Sequence, residues 1–192
     1  MPISSNVTTT PQSSELEKLI APIAASVAAS GVTRLEAVLS ALHEQGAFEP
    51  AFFLPPHPKH YARKLLHRDP QGRFLVVAMT WGPGQGSCLH DHAGLWGSEI
   101  VVRGTMRETP FELLDRGEDG RYRFARGTQR TCEPGNVGTL VPPVEYHDFG
   151  NAGDGVAHTV NVYGGDLTIS QIFAEDADGW WTAQCVEHRY DG

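Results

Sequence analysis

The chain of 192 residues has few cysteines, no long apolar run and fewer basic than acidic residues. Its cysteines, Cys88, Cys132 and Cys185, are odd in number and irregularly spaced, so they predict no disulfide framework. No apolar run approaches the roughly 20 residues of a membrane span. The 15 Lys and Arg residues against 23 Asp and Glu give a formal charge of -8, which argues against nucleic acid or an anionic membrane as a partner. We therefore expect a small-molecule partner.

The first residues lack the basic start and apolar core of a secretion signal, which predicts a cytoplasmic protein. Residues 1–14 are rich in Ser, Thr, Asn and Pro, and we expect them to be disordered. The remaining length suits one domain over residues 15–192. The sequence leaves the oligomeric state open, and a monomer is compatible with it.

Two helices are predicted before the rest of the domain, in a segment spanning residues 15–46. Apolar residues recur at helical spacing over 15–29, where Pro22 should kink or divide the helix. Thr33 and Glu36 have the spacing of a capping box, and Gly46 should end the second helix. Short strand-like runs such as RFLVVAMTW and AHTVNVYG follow, broken by Gly and Pro. This order predicts a mainly β sandwich or barrel with helices at its amino-terminal side.

The most informative residues are His90, His92 and His147. Two histidines at i and i+2 on a strand point to the same face, so they can bind one metal ion together with a third from a distant strand. The Cys88 thiol, two positions before His90, is an alternative ligand, although a buried structural thiol is the favoured interpretation. A lone histidine is more often a surface or core residue, as we expect for His43, His57, His67 and His188.

The glycines around these histidines have a recognisable spacing. The pattern Gly84-x5-His90-x-His92-x4-Gly97-x6-Gly104 resembles the first cupin motif, with Gly97 at the position of the usual glutamate ligand. The pattern Pro142-x-Val144-x2-His147-x3-Asn151 resembles the second motif. The resemblance implies a cupin double-stranded β-helix, or jelly-roll barrel, with a three-histidine metal site. Imidazole suits Fe, Zn, Cu and Ni alike, so the ligands alone do not identify the metal.

Further motifs narrow the resemblance to the cysteine dioxygenase family over roughly residues 60–173. They are Tyr61-Ala-Arg63, Trp81-Gly82-x-Gly84-x-Gly86-Ser87, His90-Asp91-His92, Arg103-Gly104-x3-Glu108-Thr109 and Val162-Tyr163. The family implies an Fe(II) enzyme that inserts both atoms of O2 into a small thiol, giving a sulfinate. By the same resemblance, the three histidines match the iron ligands and Arg63 matches the arginine that binds the substrate carboxylate. Tyr61 matches the neighbouring tyrosine, and Tyr163 the tyrosine whose hydroxyl faces the iron.

The chain departs from the family pattern in three places. Mammalian members have a cysteine joined to the tyrosine by a thioether where Gly97 stands, so Tyr163 should be unmodified. The usual Ser-x-His-x-Tyr reads Thr159-Val-Asn161-Val-Tyr163. Strand alternation puts these three residues on one face, where Asn161 can bond to Tyr163 but cannot titrate. Glu99 shares the inward face of Gly97, where burial of an acid is costly unless it is paired or binds a polar substrate. An exposed position, or a nearby arginine as partner, is the alternative for Glu99.

The substrate is predicted from Arg63, whose planar fork suits a carboxylate. Relatives specific for 3-mercaptopropionate tend to carry glutamine there, so Arg63 favours a cysteine-like substrate. The altered triad leaves mercaptosuccinate as an alternative, whereas a Glu99 that pairs with an ammonium group would favour cysteine. We expect Tyr61, Thr159, Asn161 and Glu99 to line the substrate site. Two alternatives of other classes are a Zn or Ni cupin isomerase or hydrolase, and a cupin that only binds a ligand.

Overall fold

The computed structural model describes residues 11–192, with side chains from Ser14 onward. Of the segment expected to be disordered, residues 1–10 lie outside the described residues. Residues 11–14 form the first turn of a helix, so the predicted helix start at residue 15 is four residues late. The fixed φ of Pro11 suits the first position of a helix, where its missing N–H has no helical partner to lose.

Two helices precede the strands. Helix α1 (Pro11–Ser30) continues through Pro22, so the expected division does not occur. Pro22 lies on the exposed side, where water can bond to the carbonyl that loses its helical partner, while neighbouring apolar residues hold the helix to the core. Helix α2 (Leu35–Glu44) begins without a side-chain cap, and the predicted capping box at Thr33 is wrong. The carbonyl of Val32 accepts the N–H of Leu35, so a backbone turn replaces the cap.

Twelve strands follow a short 3-10 turn at Pro50–Phe52. They are β1 (Ala62–Arg68), β2 (Leu75–Trp81), β3 (Leu89–His90), β4 (Gly97–Arg103), β5 (Met106–Arg116), β6 (Tyr122–Arg126), β7 (Arg130–Cys132), β8 (Val137–Leu140), β9 (Tyr146–Asn151), β10 (Ala157–Tyr163), β11 (Ile169–Glu175) and β12 (Trp181–Glu187). The strands form a five-stranded sheet in the order β1-β2-β10-β4-β8 and a seven-stranded sheet in the order β6-β12-β11-β3-β9-β5-β7. Strand β5 also pairs with β6. Every pairing between these strands is antiparallel.

The five-stranded sheet is covered on both faces, which explains why all seven residues of β2 are buried. Successive side chains alternate between the faces. Val76 and Ala78 pack against the helices, whereas Leu75, Val77 and Met79 belong to the core on the inner face. The inner face of this sheet forms one wall of the interior.

The architecture confirms the predicted fold, a mainly β cupin barrel with amino-terminal helices. Antiparallel strands from two sheets surround the interior, and the helices precede the strands instead of alternating with them. Within the described residues, no helix is both long and apolar enough to span a membrane.

Candidate metal centre and substrate cavity

Three histidines converge in the interior. His90 ends β3 and lies directly opposite His147 of β9 in the strand register. His92 follows β3 by two residues, and one ring nitrogen from each of the three lies within 4.8 Å of the others. Within the described part of the chain, these residues form the one group of at least three side chains suited to holding a metal ion.

The rings of His90 and His147 are oriented by hydrogen bonds through Nδ1. The Nδ1 atom of His90 lies 3.0 Å from the carbonyl oxygen of Cys88, and that of His147 lies 3.3 Å from Oε1 of Glu108. Since a carbonyl or carboxylate oxygen accepts, each Nδ1 carries the proton and each Nε2 keeps its lone pair. Metal-binding histidines are commonly oriented in this way, with the second nitrogen as the ligand atom.

The donor set fits a divalent transition metal. Burial holds the pKa of His92 and His147 well below the ordinary value and also lowers the pKa of His90. The rings are therefore neutral near pH 7, which is the form that binds metal. In addition, Nδ1 of His92 is buried without a hydrogen-bond partner among the described residues. No carboxylate belongs to the three-histidine group.

Glu108 supports the centre from outside the ligand set. Its carboxylate accepts from His147 and also from Nη2 of Arg130 at 2.9 Å. Burial raises the pKa of Glu108, while Arg130 opposes that shift. The sequence motif Arg103-Gly104-x3-Glu108-Thr109 contains Glu108 but does not indicate this supporting role. Glu108 reaches His147 because its strand β5 pairs with β9, and this pairing is not visible in the sequence.

Gly97 lies in close contact with the centre. A Cβ atom there would lie 3.0 Å from Nδ1 of His92 and 3.5 Å from the ring of Tyr163. A side chain in place of Gly97 therefore requires the His92 ring to shift. The contact also shows that residue 97 faces the Tyr163 ring but offers no sulfur to it.

We expect the intact mass of the protein to equal the sequence mass, apart from ordinary amino-terminal processing. A thioether at Tyr163 needs a cysteine within bonding distance, and Gly97 provides none. Intact-mass and peptide-mapping spectrometry of protein exposed to iron, thiol and air tests this. A loss of two hydrogens in a peptide containing Tyr163 would show instead that another cysteine reaches the ring.

A cavity of about 450 Å3 surrounds the histidines. Its lining includes Tyr61, Arg63, Trp81, Cys88, Glu99, Leu140, Asn161, Tyr163, Leu167, His188 and Asp191. Cys88 is exposed, not the buried thiol that we expected, because the short strand β3 begins only at Leu89. Its contact with the centre is through the backbone carbonyl, and the thiol is not part of the metal-binding group.

Arg63 reaches this cavity as a buried cation without an acidic partner. Arg63 is 6% exposed, and its Nε atom has no hydrogen-bond partner among the described residues. None of the ion pairs within the described chain involves its guanidinium. An unpaired buried charge is costly, so this side chain is suited to an anionic group of a ligand.

Tyr190 and Asp191 hold Arg63 in place, a role that no sequence motif predicted. The backbone N–H of Arg63 donates to Oδ2 of Asp191 at 2.8 Å, and the Asp191 N–H donates to the Arg63 carbonyl at 2.8 Å. The guanidinium carbon lies 5.4 Å from the centre of the Tyr190 ring, a cation–π distance. His60 bonds to the other carboxylate oxygen of Asp191.

A buried chain of hydrogen bonds links Thr159, Asn161 and Tyr163. The Trp81 indole donates to Oγ1 of Thr159 at 3.1 Å, and Thr159 donates to Oδ1 of Asn161 at 3.2 Å. Nδ2 of Asn161 then donates to the Tyr163 hydroxyl at 3.3 Å. The ring of Tyr163 meets the ring of His92 edge-on, with centroids 5.4 Å apart. Burial raises the Tyr163 pKa, so the hydroxyl keeps its proton and can donate it to a ligand.

Tyr61 and Glu99 complete the predicted set. The Tyr61 ring stacks on Trp81 with centroids 4.2 Å apart, and burial raises its pKa. Glu99 accepts from Nδ2 of Asn161 at 2.9 Å, and burial raises its pKa well above the ordinary value. The cavity lining contains both residues, together with Arg63 and the histidines. Of the alternatives for Glu99, an arginine partner is not found among the described residues.

Comparison with known proteins identifies similar sequences. A profile of the family described as Cysteine dioxygenase type I matches residues 4–160. The chain is 28% identical to cysteine dioxygenase type 1 of Rattus norvegicus and of Mus musculus over 128 residues, which is 67% of this chain. The match spans 60% of the length of these curated relatives. Among solved structures, a protein of Klebsiella pneumoniae with a double-stranded β-helix domain has 16% identity and a TM-score of 0.48, covering 73% of this chain and 96% of that one.

Proposed function

We propose, from the premise that this chain belongs to the cysteine dioxygenase type I family, that it is an Fe(II) dioxygenase of a small thiol carboxylate. The product is the sulfinate, and cysteine is the favoured substrate. The partners are then a small molecule and O2. A cytoplasmic location and a single domain over residues 15–192 stay predictions.

One observation carries the proposal. The unpaired guanidinium of Arg63 and the three-histidine cluster line the same cavity. A metal centre alone fits many cupin activities. A buried cation beside it adds an anchor for a carboxylate, so a ligand with a carboxylate at one end can present its thiol to the metal site.

Each side chain then has a defined task. Iron held by His90, His92 and His147 would supply the redox chemistry between O2 and sulfur. Arg63 binds the substrate carboxylate and fixes its orientation. Tyr163 donates a hydrogen bond from its hydroxyl to the reacting groups, because its raised pKa keeps it protonated.

The remaining residues shape the substrate site. Tyr61 stacks on Trp81 and lines the same cavity as Arg63. Thr159 and Asn161 hold the hydroxyl of Tyr163 through the hydrogen-bond chain. Glu99 is one of the acidic residues of the lining and accepts a hydrogen bond from Asn161.

The cavity favours cysteine over mercaptosuccinate. Arg63 is the buried arginine of the described lining, and the only other arginine there, Arg189, is largely exposed. The second carboxylate of mercaptosuccinate would therefore enter a region that contains Glu99 without a second buried arginine. Two acids in one cavity repel or compete for a proton. A cysteine ammonium group meets no such penalty.

Oxygen uptake by iron-loaded protein tests the proposed function. Cysteine, mercaptosuccinate, 3-mercaptopropionate and cysteamine are compared in an oxygen electrode, with sulfinate identified by mass spectrometry. We expect one O2 consumed per sulfinate formed, with cysteine the best substrate. Higher kcat/KM for mercaptosuccinate would reassign the substrate, and absence of uptake with all four thiols would reject the activity.

The same measurement separates the alternatives of other classes. A Zn or Ni cupin isomerase or hydrolase would use the three histidines without consuming O2, and its activity would follow Zn or Ni, not iron. A cupin that only binds a ligand would bind thiol carboxylates through Arg63 without turnover. Metal analysis of the purified protein and anaerobic binding measurements distinguish these cases from the dioxygenase.

A further inference from the structure

Glu99 lies between two cavities. Besides the metal cavity, a second cavity of about 340 Å3 is bordered by α2, β4, β7 and β8. Glu99, Glu108, Gly138 and Phe149 line both cavities. The lining of the second cavity also includes Glu36, which is exposed at its rim. Glu99 can therefore meet water from a side that the substrate does not occupy.

On the side of the metal cavity, the side-chain amide of Asn161 forms hydrogen bonds with both Glu99 and Tyr163. Asn161 and Glu99 are register partners on adjacent strands β10 and β4. Nδ2 of Asn161 donates to Oε2 of Glu99 at 2.9 Å and to the Tyr163 hydroxyl at 3.3 Å. Asn161 cannot titrate, but its cross-strand neighbour Glu99 can. The carboxyl group of this network is thus Glu99 on β4.

Glu99 has no cation to hold it in the charged state. None of the ion pairs in the described chain includes it. Burial, with a smaller effect from Glu108, raises its pKa well above the ordinary value. The pKa of a free thiol is about 8.5 and that of a free glutamate about 4.3. The raised pKa of Glu99 is closer to the pKa of a thiol than that of a free glutamate is. A general base works best when its pKa lies near the working pH.

The reaction must dispose of one proton. In RSH + O2 → RSO2⁻ + H⁺, sulfur loses four electrons, O2 gains them, and the thiol proton leaves. We propose that Glu99 is the group that takes this proton from the substrate thiol and releases it to water in the second cavity. The proposal rests on the thiol dioxygenase function stated above.

The other titratable groups around Glu99 are less suited to this task. Glu108, on β5, already accepts from His147 and Arg130. Burial raises the pKa of Tyr61, which directly precedes β1, and of Tyr163 on β10, so both stay protonated.

Groups on the side of the second cavity are also poor acceptors. Burial raises the pKa of Cys132 on β7 to about 11, so its thiol stays protonated. Arg130, also on β7, is cationic, and Glu36 on α2 is exposed at the rim.

The test compares Glu99→Gln with the matched control Glu36→Gln. Glutamine keeps an oxygen to accept from Asn161 but cannot take a proton. We expect Glu99→Gln to lower kcat/KM about a hundredfold with iron content unchanged, as removal of a general base does. Glu36→Gln, at the rim of the same cavity, should match wild type.

The pH profile gives a second readout. A base must be deprotonated, so wild-type kcat/KM should fall as pH drops through the Glu99 pKa, which burial places above the ordinary range for a carboxyl group. Glu99→Gln should lose this acid limb. The double variant Glu99→Gln/Asn161→His places an imidazole at the neighbouring position and should recover at least tenfold, with a limb at the pKa of that imidazole. A purely structural role for Glu99 predicts no such rescue.

Two outcomes of the kinetic test would overturn the proposal. One is a loss confined to cysteine with 3-mercaptopropionate unaffected, which would assign Glu99 to the substrate amine. The other is an unchanged acid limb in Glu99→Gln.

Infrared difference spectra under argon provide a check independent of turnover, because the carboxyl C=O band of Glu99 should grow when thiol binds. If no thiol is oxidised but this band still grows, the dioxygenase function fails and the proton transfer stands. An unchanged band on thiol binding rejects the transfer.

Discussion

Replacing His90, His92 or His147 singly with alanine is expected to remove most bound iron and all oxygen uptake. Each ring supplies one of only three protein ligands, and the metal-binding group contains no carboxylate that could compensate. Two remaining imidazoles leave the ion with fewer donors than catalytic metal sites usually have. Iron content by elemental analysis and oxygen uptake on the same samples measure both effects.

A graded pair of variants makes this prediction specific to the ligands. Glu108→Gln keeps all three rings but weakens the bond that orients His147, and should cost about 10- to 100-fold in metal affinity. His67→Ala, in β1 with its ring against Phe74, should keep full iron content and activity. Full iron occupancy in all three ligand variants would contradict the assignment of the centre.

Replacing Arg63 with alanine is expected to lower kcat/KM for cysteine by roughly ten- to a hundredfold while iron stays bound. A charge-assisted hydrogen bond contributes about 1.5 to 3 kcal/mol, and the burial of Arg63 limits screening by water. Arg63→Lys should restore little, because a point charge does not reproduce the planar fork. Steady-state oxygen uptake with iron quantified in parallel gives the comparison.

Cysteamine is the internal control for Arg63, since it has the thiol and the amine of cysteine without the carboxylate. It should be a poor substrate of the wild type, and Arg63→Ala should hardly change its kcat/KM. If the variant loses activity toward cysteine and cysteamine in equal proportion, Arg63 is structural. The argument for a carboxylate substrate then fails with it.

The parts of the site that could be predicted are those encoded by local spacing. The inward face shared by Thr159, Asn161 and Tyr163 follows from the two-residue period of a strand. This period depends on the backbone alone, so it holds wherever the strand lies in the sheet. The link from Thr159 through Asn161 to Tyr163 follows from the same alternation. His90 and His92 also converge, although β3 ends at His90 and His92 lies beyond the strand, so the strand geometry predicted for this pair is wrong.

What the sequence did not predict depends on which strands become neighbours. Glu108 contacts His147 because β5 pairs with β9, and Glu99 contacts Asn161 because β4 pairs with β10. Glu99 and Asn161 lie 62 residues apart in the chain. Spacing within one segment has no information about such pairs, so the supporting contacts of the site appear only in the folded structure.

The two hydrogen bonds between Asp191 and Arg63 join segments that lie far apart in the chain, which affects the order in which the site assembles. The metal ligands come from segments whose strands β3 and β9 pair directly, whereas the Arg63–Asp191 bonds close a separation of 128 residues. Closing a longer loop costs more chain entropy, so these late contacts gain stability only after β1 and β12 are both in place. During refolding, the ability to retain iron should therefore return before the ability to discriminate cysteine from cysteamine.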